Sequence, residues 1–247
     1  MDRLTGRMGT VARLLGMQSG WSYERMQGVG FGWASEPALR RLLGHDSERY
    51  RLALARATGF FNANPYLAAA ALGAELRAEQ EGLPAGQIER LRSALCGPLG
   101  ALGDRLFWTG IVPGLTAFGV VLVTFGAGLW GVLVVVVAHN AFRVYLASWL
   151  LQLGWENGMA VGQAIQSSAL PRIGSVAVRA ATVLTAGAIP IVGAWLLRDA
   201  GNQDLVTVLG LFTGAVLLRW FFGRRMTATT LTLIGAVLVF TWQIVFK

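Results

Sequence analysis

Two asparagines beside a proline are the first side chains in this sequence whose types and spacing could do chemistry. Asn62 and Asn64 lie in segment 60–65, which reads Phe-Phe-Asn-Ala-Asn-Pro within an otherwise apolar stretch. Pro65 has no backbone N–H and disfavours a helical conformation at Asn64, so a helix must break there. Each carboxamide offers donors and acceptors, which suits a polyhydroxylated ligand. The alternative is that both side chains only cap the break.

Carboxylates lie before a second expected break and at its end. Glu75 and Glu79 are spaced i, i+4, so they share one face of a predicted helix. Segment 97–105 is rich in Gly and Pro and ends in Asp104-Arg105, directly before an apolar run. An acid at the mouth of an apolar run is a candidate functional residue, while N-capping of the next helix is the alternative for Asp104.

No catalytic or metal-binding motif accompanies these residues. The sequence contains no Ser-His-Asp order, no phosphate-binding loop and no dinucleotide-binding fingerprint. Its single cysteine, Cys96, excludes an intrachain disulfide, and His45 and His139 lie too far apart in sequence to suggest a metal site. We therefore predict no catalytic residue, no metal and no cofactor, and we favour a binding role over an autonomous enzyme.

The composition indicates that a membrane protein must position these side chains. Hydrophobic residues make up 54% of the chain and charged residues 14%, whereas soluble domains carry about 25% charged residues. Residues 1–105 hold 13 Arg and 10 acids, and residues 106–247 hold 7 Arg, 1 Lys and 3 acids. We expect 1–105 to form an amphipathic and re-entrant site region and 106–247 a transmembrane region. The net charge of +8 does not indicate nucleic-acid binding, because the basic residues lie among acids and beside apolar runs and not in a stripe.

The predicted fold is an all-α, polytopic membrane protein with amphipathic N-terminal helices, a broken or re-entrant helical element and about five C-terminal membrane segments. Residues 8–18 are the first amphipathic stretch, and residues 58–74 are too short and interrupted for a normal span. Pro37 is expected in the first turn of a helix. Arginines near the fourth and fifth segments place that loop, and the N-terminus, in the cytoplasm. The predicted membrane segments are residues 107–126, 129–151, 174–197, 205–222 and 226–246.

Polar residues interrupt the second of these segments. Asn140 and Arg143 either face the interior of a helix bundle or mark a less regular helix. His139 is expected to form a hydrogen bond with another helix.

A set of motifs runs in order along residues 10–195. These are Gly20-Trp21-Ser22-Tyr23-Glu24-Arg25-Met26-Gln27, Phe60 to Pro65, Leu72-Gly73 with Glu79-Gln80, Cys96 to Trp108, and Gly154-Trp155-Glu156-Asn157-Gly158. Together they resemble the IID membrane subunit of the mannose/fructose/sorbose family of the sugar phosphotransferase system. Against the family pattern, Asn64 stands in place of a His, Ser22 in place of an Asn and Gln80 in place of a Glu.

The resemblance implies a subunit of the bacterial inner membrane that binds and translocates a hexose together with a IIC subunit. A cytoplasmic IIB subunit, charged by IIA, would phosphorylate the sugar, and IIC–IID pairs would form a higher oligomer. The rival hypothesis is a non-transporting scaffold or regulatory subunit of an incomplete system, which would bind no sugar.

The resemblance also directs attention to particular side chains. Asn62, Asn64 and Glu79 are expected to contact sugar hydroxyls, with Asp104 and Gln27 as further candidates. Residues near the N-terminus are expected at the IIC contact, and for Trp21 and Tyr23 the alternative is packing on the sugar ring. These partner-interface candidates are Trp21, Tyr23, Glu24 and Arg25.

Overall fold

The computed structural model describes residues 7–45 and 47–196, together with Gly214. The regular structure of these residues is helical, and β pairing within them is limited to the isolated bridges Ser22–Met26 and Met26–Phe61. The all-α prediction is therefore confirmed for the described part of the chain. The chain divides into two compact units, Met1–Ile189 and Pro190–Lys247. The predicted membrane segments 205–222 and 226–246 lie outside the described residues, apart from Gly214.

The α-helices of the described residues range from 7 to 29 residues in length. π-Helical turns follow two of them, at Asp104–Ile111 and Val123–Ala127. In chain order the helices are α1 (Arg7–Leu15), α2 (Gly28–Leu43), α3 (Glu48–Ala57), α4 (Ala68–Glu81), α5 (Ala85–Gly103), α6 (Val112–Leu122), α7 (Leu129–Asn157), α8 (Val161–Ser167) and α9 (Leu170–Leu196).

Helix α1 buries Val11 and Leu14, whereas the apolar side chains of Met8 and Leu15 are exposed. Pro37, expected in the first turn of a helix, lies inside α2. The expectation was wrong because α2 begins at Gly28, well before the proline that was taken as its start signal.

Helix α4 is the buried centre of the described fold. It runs through an alanine-rich segment in which small side chains let neighbouring helices approach from several sides. Its closest crossing is with α7: a Cβ on Gly73 would lie 2.1 Å from the Leu151 carbonyl oxygen, and one on Gly154 would lie 2.1 Å from the Ala70 carbonyl oxygen. Two backbones therefore touch at this crossing, so only glycine fits at either position.

The expected break at residues 97–105 is wrong. Helix α5 runs through Pro98 to Gly103, and the π-helical turn Asp104–Ile111 continues it. Pro98 removes one hydrogen bond within α5, and it lies on an exposed face of the helix. The irregularity therefore appears as a widened helix after Gly103 and not as a loop.

Two helical stretches of the described residues, Ala85–Ala127 and Leu129–Gly193, are long and apolar enough to cross a membrane. They contain the predicted segments 107–126 and 129–151, although α7 continues to Asn157. Gly126 and Gly128 have φ angles of 91° and 52° and form the turn between the two stretches. No Asp, Glu, Lys or Arg occurs between Leu106 and Phe142.

Candidate functional site

The asparagines lie in the loop between α3 and α4, which is tied to the segment before α2. The Gln27 backbone N–H donates to the Phe61 carbonyl at 2.9 Å, and the Phe61 N–H donates to the Arg25 carbonyl at 3.3 Å. The Gln27 side-chain oxygen accepts a hydrogen bond from the Ala63 N–H at 3.4 Å. Gln27 is thus brought beside the asparagines, where its buried side chain supports the loop backbone.

Asn64 and Asp104 are joined directly, although they lie 40 residues apart. The Asn64 Nδ2 donates to the Asp104 Oδ1 at 2.9 Å, while the Asn64 Oδ1 accepts from the Tyr66 N–H at 3.1 Å. Asn64 is only 2% exposed, whereas Asp104 is exposed. A Cβ on Gly103 would lie 2.2 Å from the Asn64 Cβ, so glycine leaves the room in which this amide sits. Asn64 therefore orients a carboxylate that remains accessible.

Aromatic rings pack against Tyr66, whose backbone N–H donates to Asn64. The Tyr66 ring stacks on Phe107 with centroids 4.0 Å apart, and the half-exposed Trp108 ring lies 5.7 Å from Tyr66. The Tyr66 hydroxyl lies 3.5 Å from the Nε2 of His139, so the hydrogen-bond partner of His139 lies in this loop and not on another helix, where it was expected. We call Asn64, Tyr66, Asp104 and Trp108 the loop cluster.

Arg143 covers the second face of this arrangement. Its guanidinium carbon lies 4.9 Å from the Tyr66 ring centroid. Its Nη1 donates to the Asn140 Oδ1 at 3.3 Å, and its Nη2 donates to the Leu15 carbonyl at 3.1 Å. Its buried Nε has no hydrogen-bond partner among the described residues. Arg143 therefore links α7 to the end of α1 and to Tyr66.

A second polar group joins α3, α4 and α5, and we call it the ionic cluster: Arg56, Glu75, Glu79 and Arg92. The Arg56 Nε and Nη2 donate to the two carboxylate oxygens of Glu79 at 2.9 and 2.7 Å. The Arg92 Nε donates to Glu75 at 3.0 Å, and both of these side chains are buried. Burial raises the pKa of the Glu75 carboxyl above its ordinary value, against the lowering effect of Arg92.

The structure separates the predicted sugar contacts into these two groups. Gln27, Asn64 and Asp104 meet at the 58–67 loop, and Asn62 is exposed on the same loop. Glu79 belongs to the ionic cluster, near the far end of α4 and roughly 16 Å along the helix axis from Ala68. Both of its carboxylate oxygens are held by Arg56.

The predicted partner-interface residues project together from the segment before α2. Tyr23 is 84% exposed and Trp21 56% exposed, and Glu24 and Arg25 are also exposed. Backbone hydrogen bonds in both directions between Ser22 and Met26 hold this segment, at 2.9 and 2.8 Å.

Sequence reasoning missed Tyr66 and Trp108 as parts of the site. Tyr66 follows Pro65 directly, and Trp108 stands four residues after Asp104. Aromatic rings next to each predicted polar residue were the signal that could have found them. Arg143 was noticed only as a charge within an apolar segment.

A model of the PTS system mannose/fructose/sorbose family IID component matches residues 5–194. Among curated proteins, the PTS system mannose-specific EIID component of Escherichia coli (strain K12) is 32% identical over 149 residues, which are 58% of this chain and 52% of that protein. The Fructose permease IID component of Bacillus subtilis is 29% identical over 201 residues, covering 76% of this chain and 72% of that protein. The chain spans about half the length of the E. coli relative that it matches.

Solved structures resemble the chain as well. A chain of the cryo-electron microscopy structure of the mannose transporter ManYZ in complex with microcin E492 aligns with a TM-score of 0.60 at 26% identity, covering 76% of this chain and 70% of that chain. A second structure, described only as a membrane protein, has a TM-score of 0.72 at 22% identity and covers 98% of this chain and 97% of its own. The second likeness supports the fold alone.

Proposed function

The chain belongs to the IID components of the mannose/fructose/sorbose family of the sugar phosphotransferase system, and we propose that it serves as a membrane subunit of a sugar permease. In this proposal it binds and translocates a hexose together with a IIC subunit. A cytoplasmic IIB subunit, charged by IIA, phosphorylates the sugar, and this chain supplies no catalytic residue. The relatives are named for mannose, fructose and sorbose, which supports a hexose as the class of substrate.

The observation that carries the proposal is the exposed Asp104 carboxylate, held by the buried Asn64 amide beside the half-exposed Trp108 ring. A carboxylate accepts hydrogen bonds from sugar hydroxyls, an amide both donates and accepts, and an aromatic face packs against the apolar C–H face of a sugar ring. Asn62, exposed on the same loop, supplies a further amide. We assign hexose contact to these residues.

The other candidates have different roles in the proposal. Gln27 supports the loop, because its side-chain oxygen accepts a hydrogen bond from the Ala63 N–H. A sugar contact by Glu79 requires that Arg56 release one of its carboxylate oxygens during transport. Trp21, Tyr23, Glu24 and Arg25 are assigned to the contact with IIC, because aromatic and Arg side chains on a held segment are typical of protein interfaces.

For the membrane arrangement we propose a multi-pass protein of the bacterial cytoplasmic membrane with a cytoplasmic N-terminus. Residues 1–105 form the site region, with 58–74 as a broken or re-entrant element, and residues 106–247 form the transmembrane region with about five segments. The absence of Asp, Glu, Lys and Arg between Leu106 and Phe142 supports placing this part in lipid. IIC–IID pairs associate further into an oligomer.

Hexose binding by the co-purified IIC–IID pair tests this function. We expect the pair to bind at least one of mannose, fructose and sorbose, and replacement of both loop asparagines (Asn62→Ala with Asn64→Ala) to weaken binding at least about tenfold, the loss of roughly one hydrogen bond to a ligand. Sugar uptake and phosphorylation by the complete system should fall in parallel. Asn157→Ala is the matched control, because the Asn157 Nδ2 donates to the Leu153 carbonyl within α7, away from the 58–67 loop.

Two outcomes would contradict the proposal. Unchanged sugar uptake in the double variant would remove the loop asparagines from the site. A wild-type pair that binds none of the sugars would favour the rival function, a non-transporting scaffold or regulatory subunit. Reading frames for IIA, IIB and IIC beside the gene would favour transport, and their absence would favour the scaffold.

A further inference from the structure

Arg143 is a charged side chain in an apolar setting, and the proposed function leaves it without a role. It is the only Asp, Glu, Lys or Arg between Leu106 and Trp155. It lies in α7, within the stretch Leu129–Gly193 that is long and apolar enough to cross a membrane. Among the described residues its partners are a carbonyl oxygen, an amide oxygen and an aromatic ring, and none of these is a carboxylate. Charges at such places are costly and usually serve a function.

The guanidinium of Arg143 joins three parts of the fold. It donates to the Asn140 Oδ1 in its own helix at 3.3 Å and to the Leu15 carbonyl at the end of α1 at 3.1 Å. Its carbon lies 4.9 Å from the centroid of the Tyr66 ring, in the loop before α4. A guanidinium is planar and its donors form a rigid fork, so two acceptors on different helices fix its orientation. The ring of Tyr66 therefore rests on a cation that α1 and α7 hold in place.

Tyr66 in turn connects this cation to the candidate sugar contacts. Its backbone N–H donates to the Asn64 Oδ1 at 3.1 Å, and the Asn64 Nδ2 donates to the Asp104 Oδ1 at 2.9 Å. Tyr66 is only partly buried and lies outside the helices, so its place depends on the contacts of its ring with Arg143 and Phe107. A shift of this ring would move the N–H that orients the Asn64 amide.

We propose that Arg143 is a positioning residue for the hexose site. It holds the Tyr66 ring and, through the Tyr66 backbone, sets the Asn64 amide and the Asp104 carboxylate at which the sugar binds. The inference rests on the proposed function, since it assigns a role at the proposed sugar site. Arg143 acts through Tyr66 and not by touching the sugar. Its positive charge is the active feature, because the face of an aromatic ring attracts a cation.

The first test measures hexose affinity and binding capacity of the co-purified IIC–IID pair. Arg143→Gln removes the charge but keeps an amide, and we expect about tenfold weaker affinity at unchanged capacity. Arg143→Lys keeps a cation but lacks the planar fork, so its affinity should lie between those of the wild type and Arg143→Gln. Arg179→Gln is the matched control, because the Arg179 Nε donates to the Ser175 carbonyl within the apolar helix α9. It should keep wild-type affinity.

A double variant tests whether Arg143 acts through Tyr66. Tyr66→Leu removes the ring, so adding Arg143→Gln to it should weaken hexose affinity by less than about a further twofold. If the two losses instead multiply in full, the inference is overturned. It is overturned as well if Arg143→Gln lowers the melting temperature and the binding capacity while the remaining pairs keep wild-type affinity, since that is a purely structural role.

Hydrogen exchange of the full chain in detergent tests the positioning without any sugar. We expect Arg143→Gln to speed amide exchange in the 58–67 loop, which includes the Tyr66 N–H, at least about tenfold, while exchange in α9 stays as in the wild type. Unchanged exchange in the loop would overturn the inference alone. A wild-type pair that binds none of mannose, fructose and sorbose would instead overturn the proposed function.

Discussion

The ionic cluster and the loop cluster both contain carboxylates that stood out in the sequence, yet their surroundings differ in kind. In the ionic cluster, both oxygens of Glu79 are held by Arg56, and the buried Glu75 faces the buried Arg92. In the loop cluster, Asp104 is exposed, and its described side-chain contact is the amide of Asn64. One group is closed by opposite charges and the other is open to a ligand.

This difference teaches which carboxylate can bind a solute without first breaking a contact. Removing one partner of a buried ion pair leaves an uncompensated charge in a low-dielectric site, so such pairs resist exchange with a ligand. An exposed carboxylate that a neutral amide orients keeps its charge available. The ionic cluster therefore reads as a structural joint of α3, α4 and α5, and the loop cluster as the part suited to a sugar.

The largest expected effect comes from breaking the buried ion pair of the ionic cluster. Arg92→Ala should lower the free energy of unfolding by about 3–5 kcal/mol, because the Glu75 carboxyl loses its ion-pair partner. Denaturant unfolding of the purified chain in detergent measures it. Arg51→Ala is the control: its pair with Glu48 is exposed, and its loss should cost at most about 1 kcal/mol. Equal losses in the two variants would contradict a closed, buried pair.

The same variant carries a pH signature. Burial raises the pKa of Glu75 above its ordinary value of 4.5, so the folded state keeps this proton longer than the unfolded state does. The resulting stability is fully present below the unfolded pKa and is lost as pH rises through the folded pKa. Since Arg92 opposes the shift, the destabilisation by Arg92→Ala should grow as the pH rises above the ordinary Glu75 pKa of 4.5. In a chain that also carries Glu75→Gln, the destabilisation by Arg92→Ala should no longer depend on pH in this way.

A smaller effect is expected from disturbing the contact between the 58–67 loop and α5. Gly103→Ala places a Cβ 2.2 Å from the Asn64 Cβ, so the amide must move and its hydrogen bond to Asp104 is lost. We expect a destabilisation of about 1–3 kcal/mol together with weaker hexose binding. Gly100→Ala on the same helix should be neutral or stabilising, since a Cβ there meets no atom within 4 Å. A neutral Gly103→Ala would show that the loop yields easily.

Local signals predicted much of the chain but not its pairings. Pro65 was expected to interrupt helical structure, and it lies in the non-helical loop between α3 and α4. The same reasoning failed at Pro98, because composition does not show that a helix face is exposed enough to accommodate a proline. Backbone breaks are local events, so sequence predicts them to the extent that no tertiary contact overrides them.

The pairing of polar groups depends on how helices cross, which no spacing in the sequence encodes. Asn64 and Asp104 were both selected, but as separate candidates on two breaks, and their hydrogen bond spans 40 residues. Glu79 was selected for its helix face, and that face turned out to meet Arg56 of α3. Its contact with sugar stays a prediction, and the geometry makes it the costliest of the set.

The smallest expected effect on folding comes from a substitution of Asp104, which tests whether the loop cluster binds a ligand. Asp104→Asn keeps the shape of the side chain and an oxygen that can accept from Asn64, and the residue is exposed, so the free energy of unfolding should change by no more than about 0.5 kcal/mol. The substitution removes the charged acceptor of a hydrogen bond from a sugar hydroxyl. Hexose binding by the IIC–IID pair should therefore weaken about tenfold, or about 1.4 kcal/mol. Titration of the pair with the hexose that it binds would separate the two effects. Unchanged affinity would leave Asp104 as a mere support for Asn64, and the loop cluster would then be as closed to ligands as the ionic cluster is.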